Sequence, residues 1–108
     1  MIYNVAIIGY GYWGPKLARN VNNSDKFNIK YIIDYSKKNL EKAKKDFPLS
    51  KLSTNYTNIK KDDVDLVIIS SPTKTHYSIA RHFWKFTNVL FEKPLALITK
   101  YVLYLEKI

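Results

Sequence analysis

Apolar, β-branched residues gather in short runs along this chain, and the runs are separated by segments with helical spacing. Ile2 to Ile8 (IYNVAII) is the first run and stops abruptly at Gly9, as a strand buried on both faces of a parallel sheet does. Pro15 follows at a place where a first helical turn tolerates it, and Leu17, Ala18 and Val21 give that helix an apolar face. Asn28 to Asp34 (NIKYIID) is a second strand that ends on an acid. Lys37 to Phe47 places Leu40, Ala43, Lys44 and Phe47 at helical spacing under a lysine-rich outer face, and Pro48 stops it. Lys51 to Thr54 suggests a short third strand and Tyr56 to Lys61 a brief helical turn. Asp65 to Ser70 (DLVIIS) is a clear strand broken by Pro72, and a helix from Thr75 or His76 runs through Ile79, Ala80, Phe83 and Trp84. Asn88 to Phe91 (NVLF) is the next strand, closed by Glu92-Lys93-Pro94, and Ile98, Tyr101, Val102, Leu105 and Ile108 align on a final helix. Strands alternating with helices of this length predict an α/β fold, a doubly wound parallel sheet of about five strands with helices on both faces.

Composition narrows this picture without redrawing it. At 108 residues the chain is a single domain spanning 1–108, and 46% hydrophobic against 25% charged residues suits a folded core. No apolar run approaches the roughly 20 residues that cross a bilayer, and no leader precedes the first strand, so a soluble cytoplasmic protein is expected. The absence of cysteine excludes disulfides, a thiolate nucleophile and thiolate metal sites, and no metal site is expected. The formal net charge of +9 raises a nucleic-acid partner. Yet only Arg19 and Arg81 are arginines, whereas base-edge and phosphate-fork recognition favours guanidinium. Lysine, asparagine, isoleucine and tyrosine share A/T-rich codons, so a genomic bias suffices to explain the charge.

The turn after the first strand carries the chemistry. Gly9-Tyr10-Gly11-Tyr12-Trp13-Gly14 is a GxGxxG sequence between a strand and a helix, and Asp34 stands 20 positions after Gly14, the spacing of an acid that binds an adenosine ribose. Gly9 permits the tight turn, Gly11 lets backbone approach a pyrophosphate, and Gly14 lets helix and strand pack closely. The N–H groups of Tyr12, Trp13 and Gly14 would meet the pyrophosphate at the positive end of the helix dipole. A plain tight turn would account for the glycines but not for the acid. Asp34 should accept the ribose 2′ and 3′ hydroxyls and repel a 2′-phosphate, which favours NAD. Ser36, Lys37 and Lys38 keep NADP open, although an N-cap followed by a solvated helix face is the better account of them.

Two further stretches, VDLVIISSPTKTHY from Val64 and VLFEKPLA from Val89, join the glycine turn in order and spacing. Together they resemble the amino-terminal half of the glucose–fructose oxidoreductase, inositol dehydrogenase and MocA (Gfo/Idh/MocA) family, and the GYGYWG turn resembles its sugar-nucleotide dehydrogenases most. The resemblance implies a Rossmann fold and an NAD(P)-dependent oxidoreductase that moves hydride between the cofactor and a hydroxyl of a sugar, sugar nucleotide or cyclitol. It implies that Pro72 and Thr73 line the nicotinamide end of the groove, with Ser71 beside them. His76 would pack beneath that loop, or serve only as a capping or packing histidine. Lys93 would reach the nicotinamide ribose and the reacting hydroxyl, as the one catalytic residue, a proton relay whose pKa burial and a cationic ring lower. Glu92 would hold the neighbouring loop and cofactor, and Pro94, cis in many relatives, would aim Lys93 inward. Two departures stand out: Lys16 where relatives commonly have asparagine, and Phe86-Thr87-Asn88 where they have a glycine turn, with Asn88 able to take the left-handed conformation.

Family members also carry a carboxy-terminal domain that supplies most of the substrate pocket, and these 108 residues hold no counterpart. Hydride transfer needs the alcohol carbon held about 3–3.5 Å from the nicotinamide, so the expectation is a cofactor domain that is not catalytic alone. A non-catalytic nucleotide-binding module or partner subunit is the alternative, and a basic nucleic-acid-binding protein a remote one. Self-association, or association with a missing carboxy-terminal half, is expected from an uncovered last strand and helix.

Overall fold

The first strand, β1 (Tyr3–Ile8), sits at the centre of the sheet, and its Val5, Ala6 and Ile7 are wholly buried. In this computed structural model, residues 2–70, 73–85 and 87–91 are described. After β1 come α1 (Gly14–Asn22), β2 (Phe27–Ile33), α2 (Lys37–Asp46), β3 (Lys51–Ser53), two 3₁₀ turns (Tyr56–Asn58 and Lys61–Asp63), β4 (Leu66–Ile69), α3 (Thr73–Phe83) and β5 (Asn88–Phe91). The five strands are all parallel, in the order β3-β2-β1-β4-β5. The chain lays strands outward in one direction to β3 and then returns to the other side of β1. The junction of β1 and β4 is therefore the topological switch point, beyond whose carboxyl ends open α/β sheets bind ligands.

Alternation along the strands divides the core into two layers. Val5, Ile7, Ile29, Ile32 and Ile68 point to one face, where Ala18 of α1, Ala43 of α2 and Tyr10 cover them. Ala6, Ile8, Tyr31, Ile33, Val67, Ile69 and Val89 point to the other, under Ile79, Ala80 and Phe83 of α3. Strict alternation would put Ile29 and Ile32 on opposite faces. A register shift against Val5 and Ala6 leaves Lys30 without a partner on β1, so both isoleucines reach the same layer. Lys30 meets Asp63 at 3.5 Å instead.

The predicted doubly wound parallel sheet is the observed fold, with small shifts at its boundaries. Asp34 is the first residue past β2 and not its last, Phe47 caps α2, and the segment from Tyr56 forms two 3₁₀ turns in place of one. α3 begins at Thr73, two to three residues before the expected Thr75 or His76, and it ends at Phe83, which leaves Trp84 half exposed at 52% instead of on the apolar face. Asn88 is a strand residue, and no described residue other than glycine has a positive φ, so Asn88 does not use the left-handed conformation open to it. Thr87 Oγ1 donates to the Val64 carbonyl at 3.3 Å and fixes the approach to β5 by another route. The predicted helix carrying Ile98 to Ile108 lies outside the described residues. Among the described residues no helix is long and apolar enough to cross a membrane.

Candidate functional site

The carboxyl ends of β2, β1 and β4 are tied together one residue past each strand. Gly9 N–H donates to the Ile33 carbonyl at 2.7 Å, Asp34 N–H to the Ser53 carbonyl at 3.1 Å, and Ser70 N–H to the Ile8 carbonyl at 2.8 Å. Gly9 takes φ 101°, a left-handed conformation that L side chains rarely adopt. Tyr10 then dives into the layer below α1 and α2, where it is 1% exposed, and its hydroxyl donates to Asp46 Oδ2 at 2.6 Å. Burial first, and the Asp46 hydrogen bond second, push the Tyr10 hydroxyl well above the ordinary tyrosine range.

The other two glycines of the turn differ sharply. A Cβ on Gly14 would stand 2.1 Å from the Gly9 carbonyl oxygen, so the close approach of α1 to the end of β1 requires glycine there. Among the described residues, a Cβ on Gly11 would meet nothing within 4 Å, and Gly11 has no positive φ to justify it. The packing of the described residues leaves that volume open. It lies beside the start of α1, where no side-chain hydrogen bond caps the helix at Trp13 and the first turn holds no acid. The N–H groups and the dipole of that turn suit an anion, and the missing Cβ gives it room to come close.

Asp34 faces this turn from the neighbouring strand. Its Oδ2 accepts from Tyr10 N–H at 2.6 Å and from Asn39 Nδ2 at 3.2 Å, and its Oδ1 accepts from Ser36 N–H at 2.8 Å. A carboxylate offers about four acceptor positions, so a ribose diol would take the open one and compete with Asn39 for another. Ser36 caps α2 by accepting from Asn39 N–H at 3.3 Å, and Lys37 and Lys38 are exposed. That is the arrangement of an N-cap followed by a solvated helix face. On the open side of the glycine turn, Tyr12 is 71% exposed and packs edge-on against Trp13, with Lys16 Nζ 4.0 Å from the Tyr12 ring centre and 4.7 Å from that of Trp13.

The structure thus brings Gly9, Gly11, Tyr12, Trp13, Gly14 and Asp34 together at the carboxyl end of the sheet. Thr73 and His76 fall in the first turn of α3 by backbone position. Ser71, Pro72, Glu92, Lys93 and Pro94 lie outside the described residues. Sequence reasoning did not single out Tyr10, Asn39 or Ser70. The middle position of a GxG turn and the last residue of a strand were the only signals available, and neither says which way a side chain turns.

Residues 3–102 match the family model GFO_IDH_MocA, described as an oxidoreductase family with an NAD-binding Rossmann fold. The chain belongs to this family. Its matching part is the NAD-binding Rossmann domain, which agrees with the predicted cofactor. The chain is 30% identical over 95 residues to the 2,7-anhydro-N-acetylneuraminate hydratase of Escherichia coli (strain K12), covering 87% of this chain and 25% of that protein. It shows the same identity, over 84% of its length and 24% of the relative's, to an uncharacterized oxidoreductase of Streptococcus pneumoniae. Among solved structures, myo-inositol 2-dehydrogenase from Lactobacillus plantarum superposes with TM-score 0.78 at 29% identity, over 99% of this chain and 32% of that one. GenD2 from gentamicin A biosynthesis, in complex with NAD, superposes with TM-score 0.80 at 25% identity, over 96% and 30%. The chain therefore spans about a quarter of the curated relatives and under a third of the solved ones.

Proposed function

We propose that this domain holds the nicotinamide dinucleotide of an oxidoreductase acting on a hydroxyl-bearing carbon of a sugar, sugar nucleotide or cyclitol. The observation that carries the cofactor half of the reading is the open volume over Gly11 at an uncapped helix start. In it the N–H groups of Tyr12, Trp13 and Gly14 bind the pyrophosphate, and Asp34 accepts the ribose hydroxyls. A 2′-phosphate would face the Asp34 carboxylate, so NAD is preferred to NADP. The bound nicotinamide supplies a hydride acceptor or donor. Ser71, Pro72, Thr73 and His76 frame its end of the groove, Glu92 and Pro94 position the neighbouring loop, and Lys93 relays the hydroxyl proton.

The substrate class rests on myo-inositol 2-dehydrogenase and on GenD2 of gentamicin A biosynthesis among the neighbours. The name of a hydratase among the relatives supports the reading that the net reaction is not set by this domain alone. We assign the holding of the substrate to a further domain of the kind the longer relatives have room for, in the same chain or in a partner. Fluorescence titration with NADH and NADPH tests the cofactor half: NADH should bind more tightly, and no binding of either at millimolar ligand would refute it. Gly11→Asp places a carboxylate where the pyrophosphate would lie and should abolish NADH binding while the thermal transition stays within a few degrees. Unchanged affinity would remove the turn from the site.

A further inference from the structure

The Gly9–Tyr10 peptide plane is gripped at both ends by side chains from the two strands that flank β1. Its N–H belongs to Tyr10 and donates to Asp34 Oδ2 at 2.6 Å, from just past β2. Its carbonyl belongs to Gly9 and accepts from Ser70 Oγ at 2.6 Å, from just past β4. Ser70 is set for this task because its own N–H closes the last rung onto the Ile8 carbonyl at 2.8 Å, so its hydroxyl stands over the turn, 3.3 Å from the Ile8 carbonyl as well. The same oxygen lies 3.3 Å from where a Gly14 Cβ would be, which places it between the turn and the start of α1.

This peptide rotates through ψ of Gly9 and φ of Tyr10, and with no Cβ on Gly9 the first of these is sterically open. Rotation here would swing the Gly9 carbonyl toward the groove, where a negative dipole opposes an anion, and would take the Tyr10 N–H away from Asp34. We infer that Ser70 is a positioning residue of the dinucleotide site, locking this peptide against Asp34 so that the turn presents N–H groups, and no carbonyl, to the pyrophosphate. The inference rests on the cofactor reading given above and adds a link to it. Asp34 is both one jaw of the clamp and the ribose acceptor, so the two halves of the dinucleotide site share one side chain.

Ser70→Ala removes the hydroxyl, and the pair Ser70→Thr and Ser70→Val, equal in shape, isolates it should the alanine variant fold poorly. The Tyr10 amide reports on the clamp without any ligand. Its hydrogen exchange, followed by NMR in the full chain, should speed up by about three- to tenfold in the alanine and valine variants, as for the loss of one hydrogen bond. NADH affinity should fall by a similar factor, about three- to tenfold, and the threonine variant should stay near wild type in both. Unchanged Tyr10 exchange, or unchanged NADH affinity, in the alanine and valine variants of a chain that binds NADH would overturn the inference alone. A wild-type chain that binds no dinucleotide would overturn the functional reading and the inference with it.

Discussion

On the sheet face that carries α1 and α2, the wholly buried helix contacts are small, Ala18 and Ala43, with Leu17, Val21 and Leu40 only partly buried around them, and Gly14 touches the end of β1. On the opposite face α3 packs through Ile79 and Phe83, both essentially inaccessible. The contrast fits the proposed dinucleotide site. Where a helix N-terminus is to meet a phosphate beside the strand ends, as proposed for α1, bulk at the contact would hold the helix away. Where a helix only covers the sheet, bulk supplies most of the apolar burial, at roughly 1.5–3 kcal/mol per large side chain. One face is shaped for approach and the other for packing.

The most damaging way to break this contrast is on the packing face. Phe83→Ala should cost about 3–5 kcal/mol, through lost burial and the cavity left behind, as read by urea denaturation. Gly14→Ala comes next. Its new Cβ collides with backbone and not with a flexible side-chain tip, so α1 must shift at a cost of about 1–3 kcal/mol. NADH affinity should fall with it. Gly11→Ala, which meets no atom of the described residues within 4 Å, should leave the denaturation midpoint nearly unchanged. If Gly11→Ala destabilised as much as Gly14→Ala, the distinction between an internally required glycine and a ligand-required one would fail.

Those two glycines also show what the sequence could and could not reveal. Strand and helix positions up to β4 were legible to within a residue or two, because apolar runs, Gly9, Pro15 and Pro48 mark them locally. The start of α3 was not, since Thr73-Lys74-Thr75-His76 has no apolar period and a first turn needs no core contact to form. Trp84 was misplaced for the reverse reason: it fits the helical spacing, but the helix stops one residue earlier and leaves it half exposed. The shift at Lys30 arises from pairing between strands, which no single segment encodes. That Gly9, Gly11, Gly14 and Asp34 gather at the carboxyl end of the sheet was readable from spacing alone. The Ser70 and Tyr10 contacts were not, because they join residues 61 and 24 positions apart to Gly9 and Asp34.

The finest test of the two faces uses a feature they share. Each buries one tyrosine whose hydroxyl donates 2.6 Å to an aspartate, Tyr10 to Asp46 of α2 and Tyr31 to Asp63 of the second 3₁₀ turn. In both, burial and then the aspartate hydrogen bond raise the tyrosine. A raised folded value means stability that is complete below the unfolded tyrosine value near about 10 and is lost as pH climbs through the folded one. The Tyr31 hydrogen bond, ahead of the Lys30 charge, also holds Asp63 below the usual carboxylate range. Its contribution is present above the unfolded value near about 4 and is lost as pH falls below it. Tyr31→Phe and Tyr10→Phe should each cost about 1 kcal/mol at neutral pH, and each should make the alkaline loss of stability shallower. Tyr31→Phe should also flatten the acid limb, measured as urea midpoints between about pH 3 and pH 5. An acid limb left unchanged by Tyr31→Phe would mean that Asp63 draws its low pKa from Lys30 across the register shift, and that the tyrosine on the packing face contributes only its ring.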